Sequence, residues 1–99
     1  MKLAELKPQW ITPNLFVFLC PHCKKIWLSC KNVEMSVSEQ LDRMHEVMLG
    51  EWWMNAVPCK KEMAWTFSGN FPDSLTVTPS VDASESGHWH GHIMNGEIV

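Results

Sequence analysis

Short apolar runs separated by polar turns make up most of the chain. Leu15-Phe16-Val17-Phe18-Leu19-Cys20 is an unbroken run of β-forming residues that enters a Cys-Pro-His-Cys turn. Lys25-Ile26-Trp27-Leu28-Ser29-Cys30 follows as a returning strand, so the two predict a hairpin with a knuckle at its tip. Ser36-Val37-Ser38-Glu39 has the form of a capping box, the serine oxygen accepting from the first turn and Glu39 reaching back. Val37, Leu41, Met44 and Met48 then recur at spacings of four, three and four, drawing one apolar stripe on a helix over 37–49. Gly50 supplies its stop signal.

The remainder alternates as strands do. Met63-Ala64-Trp65-Thr66-Phe67 ends at a Gly69-Asn70 turn, and Ser74-Leu75-Thr76-Val77-Thr78 stops at Pro79. Asp82 to Gly87 is a polar loop. His88 to Met94 leads into Asn95-Gly96, the strongest short hairpin signal, with Glu97-Ile98-Val99 starting the return strand. Residues 1–14 hold Pro8 and Pro13 and little periodicity, which predicts an extended N-terminal arm pinned by Trp10. The expected fold is α+β over 15–99: a small, mostly antiparallel sheet with one helix packed on it.

Composition narrows the picture. A chain of 99 residues supports one domain, and a domain of that size has a thin stability margin that a single metal ion would widen. The net charge of -3 argues against broad phosphate-backbone binding, so no nucleic-acid partner is expected. Lys24, Lys25, Lys31, Lys60 and Lys61 form an interrupted basic patch that reads as solvated surface. Met1 to Pro8 lacks the apolar core of a secretory signal, and the run from Leu15 to Cys20 is too short to span a bilayer. A cytoplasmic, non-membrane protein is therefore expected. Its four cysteines then read as thiols or metal ligands rather than disulfides.

Cys20 and Cys23 carry the clearest chemistry. Two thiolates at this spacing on a tight turn can face one zinc ion while backbone amides donate to their sulfurs. The redox alternative needs the motif at a helix start, and here Pro21 follows a strand with no helix beginning at Lys24. Two cysteines are half a site. His88, His90 and His92 would share one strand face and could supply the rest, with Cys59 and Cys30 as rival ligands. His22 and His45 read as surface residues. Histidine-rich sites also accept iron or nickel. Trp52-Trp53 is a candidate contact patch, since adjacent residues point apart and an exposed tryptophan is a frequent interface anchor. A catalytic alternative is a small zinc-dependent hydrolase using the His88, His90 and His92 strand, with Glu97 or Asp82 as base. A Gly-rich phosphate loop, a serine nucleophile elbow and a His-Glu-x-x-His motif are all missing from the sequence.

Several pieces taken in order carry a resemblance. They are Cys20 and Cys23, then Trp65-Thr66-Phe67-Ser68-Gly69, then Thr78-Pro79-Ser80-Val81, then His90-Gly91-His92-Ile93-Met94-Asn95-Gly96-Glu97-Ile98. In this the chain resembles a family of small uncharacterised proteins common in bacteriophages and prophages. The likeness runs discontinuously over about Cys20 to Val99 and leaves out the helix near 37–49. Relatives commonly place a cysteine just before the late histidine, whereas this chain has Gly87, His88 and Trp89 there. His88 is the natural stand-in, so the resemblance implies a zinc site of Cys20, Cys23, His88 and His90. It implies a phage-type origin and a metal, and no reaction. The functional expectation is a non-catalytic accessory protein that binds another protein, such as a host defence or replication component.

Overall fold

The computed structural model describes residues 1–48, 55–82 and 89–99. Among these residues it is an α+β fold with one α-helix and two four-stranded sheets, where the sequence predicts a single sheet. In the first sheet β1 (Gln9–Thr12), β2 (Leu15–Leu19) and β3 (Trp27–Lys31) are antiparallel, and β4 (Ala56–Val57) joins parallel to β3. The second sheet is an antiparallel meander of β5 (Thr66–Ser68), β6 (Thr76–Asp82), β7 (His90–Met94) and β8 (Glu97–Ile98). Helix α1 (Val37–Val47) lies on the other side of the first sheet.

The molecule thus has three layers, and the middle one explains the continuous apolar run at 15–20. Strand residues alternate between faces, so a strand covered on both sides has no reason to alternate in polarity. Phe16, Phe18, Leu28 and Cys30 turn toward the second sheet, where they meet Leu75, Val77, Val81 and Ile93. Leu15, Val17 and Trp27 turn the other way, onto Met35, Met44 and Met48. Every residue from Leu15 to Phe18 and from Trp27 to Lys31 is buried. Among the described residues the second sheet is covered on one face, and β7 shows the alternation that results.

Residues 1–14 belong to the folded body rather than forming an arm. Lys2 bridges Glu97 of β8, and Leu3 N–H donates to the Gly96 carbonyl at 2.8 Å. A 3-10 turn over Leu3–Leu6 then drops Leu3 and Leu6 into the core between the sheets. The anticipated pin is present: the Trp10 ring lies 4.7 Å from Phe71 and 5.5 Å from Phe16, centroid to centroid.

Helix α1 starts where its cap predicts, with Ser36 Oγ accepting from Glu39 N–H at 3.1 Å. Its buried face is rotated from the expected stripe. Val37 is exposed, Leu41 is half-buried, and Gln40 is wholly buried beside Met44 and Met48. Asn95 and Gly96 both take positive φ, as a two-residue hairpin turn of this type requires. β6 runs through Pro79, past the expected stop, because the register shifts between Val77 and Val81 and absorbs the irregularity.

Candidate metal centre

The Cys-Pro-His-Cys turn sits between β2 and β3, where the hairpin reverses. Cys20 N–H donates to the Ile26 carbonyl at 2.8 Å, and Lys24 N–H donates back to the Cys20 carbonyl at 2.8 Å. Lys24 takes a left-handed φ of 58°, which turns the chain sharply after the second cysteine. The amides beyond it reach the Cys23 sulfur. The Lys25 N–H is the main cause that lowers the Cys23 thiol below its ordinary range. Burial opposes it, and the Ile26 amide and the Cys20 side chain reinforce it. Cys20 is buried, Cys23 half-buried and His22 exposed. Two neighbouring sulfurs, one of them with amides already aimed at it, are the donor pair that half of a tetrahedral thiolate site would need.

The histidines lie elsewhere. His90 and His92 are exposed on β7, opposite the face by which Gly91 and Ile93 are buried. Trp89 is half-buried and meets Phe18 edge-on at 6.0 Å, two residues before Cys20. Alternation therefore sends the residue before His90 toward the thiolate layer and His90 itself away from it. Among the described residues, no three His, Cys, Asp or Glu side chains stand together as a metal-holding group. The structure brings Cys20 to Cys23, and it does not bring His90 or His92 to them. His88 lies outside the described residues, as do Trp52 and Trp53.

The rival cysteines form a second pair with opposite electrostatics. Cys30 is fully buried between the sheets; burial first, then the nearby Cys59, push its thiol well above the usual range against the charge of Lys31. Cys59 is raised mainly by burial, and its Sγ donates to Gln40 Oε1 at 3.4 Å. At neutral pH, iodoacetamide is therefore expected to modify Cys23 first, with its rate persisting to lower pH than for an ordinary cysteine. Cys30 is expected to react only after unfolding. Peptide mapping by mass spectrometry reads both, and equal rates at Cys23 and Cys30 would refute the assignment. The raised Cys30 also predicts that stability, full at neutral pH, declines above about pH 8.5, because the unfolded chain ionises there first.

Two residues that the sequence reading passed over organise this region. Lys31, assigned above to a solvated basic patch, is wholly buried. Its Nζ donates to the carbonyls of Lys60 at 3.1 Å, Lys61 at 3.0 Å, and Met63. Gln40 Oε1 accepts from Ser29 Oγ at 3.0 Å and from Cys59 N–H at 3.1 Å, and its Nε2 donates to the carbonyls of Met35 and Cys59. A sequence signal existed for each. Gln40 completes a spacing of four with Met44 and Met48, and Lys31 directly follows the apolar run Ile26-Trp27-Leu28 and Ser29-Cys30 of the predicted strand.

No helix among the described residues is long and apolar enough to cross a membrane. Compared with known proteins, the chain matches no family model, no curated protein and no solved structure.

Proposed function

We propose that this protein is a small accessory protein of phage type that acts by binding another protein, its fold tied together by zinc on Cys20 and Cys23. The observation that carries the metal is the Cys23 sulfur, whose thiolate form is favoured by the amides of Lys25 and Ile26 before any ion arrives. Zinc binds thiolates, so a turn that favours the thiolate also favours the metal. Further ligands complete the site; His88 is the one offered by the resemblance to phage proteins. A structural zinc here would fasten the reversal of the β2–β3 hairpin, in the middle layer of the molecule.

The binding role is supported by an aromatic patch where the two sheets meet. Trp10 on β1 is 38% exposed and packs at a tilt against Phe71, and Phe67 of β5 closes the group at 6.0 Å from Trp10. An accessible tryptophan held by other rings presents apolar area at low entropic cost, which is how interface anchors are built. The fitting partner is a phage or host protein in the infected bacterial cytoplasm, for instance a defence or replication component.

Metal analysis of the purified protein tests the first part. One zinc per chain is expected, lost in the Cys20→Ser, Cys23→Ser double variant; a metal-free wild-type protein prepared with zinc present would end this reading. Affinity capture from bacterial lysate tests the second. A partner retained by the wild type and released by Trp10→Ala or Trp52→Ala is expected, and a partner unaffected by both would remove the tryptophans from the interface.

A further inference from the structure

We propose that His90 and His92 form a separate surface site for a borderline divalent transition ion such as nickel or copper, with both imidazoles as ligands and water in the remaining positions. The inference is independent of the thiolate site, and it starts from the face the two residues occupy. Both are exposed on β7, and residues two apart on a strand stand about 6.5 Å apart on the same side. Two imidazoles at that separation on one face can converge on a single ion.

The strand beneath them is held rigidly. β7 is flanked by β6 on one side and β8 on the other. His92 exchanges both backbone hydrogen bonds with Val99, at 3.1 Å and 2.9 Å. Between the histidines, Gly91 turns inward and is covered by the Trp89 indole. A Cβ added there would sit 2.5 Å from Trp89 Cζ2 and 2.7 Å from the Val99 carbonyl. The backbone bearing the two rings is thus pinned from below and from both edges. A site on such an element needs little ordering when the ion binds.

A second observation points to ligation. Ser80 Oγ lies 3.3 Å from His90 Nε2. With the proton on Nε2 donated to that hydroxyl, Nδ1 presents its lone pair to the ion. An oxygen on the far ring nitrogen is the usual orienting partner of a metal-bound histidine. Neutral imidazole favours copper, nickel and zinc over magnesium and calcium, and this fixes the class of ion.

The test is a nickel titration of the full chain, followed by calorimetry and by the histidine ring resonances. The zinc-loaded wild type and the Cys20→Ser, Cys23→Ser variant should bind one equivalent of nickel alike, with the His90 and His92 signals perturbed together. His90→Ala and His92→Ala should each abolish most of that affinity while the amide spectrum stays folded, because both side chains are exposed. Ser80→Ala should weaken it by roughly tenfold. If His92→Ala binds nickel as the wild type does, or if the cysteine variant loses this site along with the histidine variants, the separate imidazole site is wrong. Zinc content of the cysteine variant, measured on the same samples, reports on the thiolate reading separately.

Discussion

Replacing Lys31 with methionine is expected to lower the unfolding free energy by about 3–5 kcal/mol. Methionine matches the length of the stem and keeps the packing, so the loss isolates the ammonium group. That group serves three carbonyls at once, on Lys60, Lys61 and Met63, from a side chain with no solvent exposure. A buried acceptor left without its donor costs about 1–3 kcal/mol, and three would be orphaned together. Removing the buried charge recovers some desolvation energy, which keeps the net below the sum. For a domain of this size the midpoint of thermal unfolding should fall by roughly 15–25 °C. Lys31→Arg should lie between, because a planar fork cannot point at three carbonyls that a tetrahedral ammonium reaches. Thermal melts followed by circular dichroism read all three proteins. A Lys31→Met midpoint within a few degrees of wild type would mean that the 60–63 segment holds itself in place.

Gln40→Leu should cost about 2–4 kcal/mol, for a related reason. Leucine suits the helix and nearly fills the volume, so propensity and packing change little. What goes is a polar hub linking the helix to β3 and to the segment after β4. The Met35 and Cys59 carbonyls lose their Nε2 donor. Cys59 N–H keeps a partner in Ser29 Oγ at 3.0 Å, which limits the damage. Amide exchange should accelerate most at Cys59 to Met63 and least in β2 and β3. Uniform acceleration would show that Gln40 acts only on global stability. Because Lys31 and Gln40 grip the same stretch of chain from two sides, their double variant should fall short of additivity. Once one grip fails, the other has less to hold.

The elements whose signals are local were legible in the sequence. The hairpin around Cys20 and Cys23, the helix start at Ser36, and the Asn95-Gly96 turn all lie where the residues placed them. Each depends on neighbours within a few positions: a cap oxygen over the first turn, or a pair of residues that tolerates positive φ. The errors fall where a distant segment decides. Residues 1–14 read as an arm because two prolines break any period, yet Leu3 and Leu6 fill a core made by the two sheets. Met44 and Met48 of the predicted stripe are buried, but Gln40 takes the place expected of Val37 and Leu41; glutamine counts as polar, and its burial is repaid only by partners on Ser29, Met35 and Cys59. Lys31 looks solvated in the sequence because its carbonyl partners lie about thirty residues downstream.

The same division holds at the site. The sequence by itself determined the thiol pair, because Cys-x-x-Cys spacing on a turn brings two sulfurs together whatever surrounds them. It also determined that His90 and His92 share a face, since strand alternation is a property of the backbone. Only the tertiary structure decided which way that face points. The buried side of β7 packs against the middle sheet through Ile93, with Trp89 just before it on Phe18, so the imidazoles stand on the outer side, apart from the thiolates. Sidedness depends on where apolar surface is covered, and that is a property of the assembled layers.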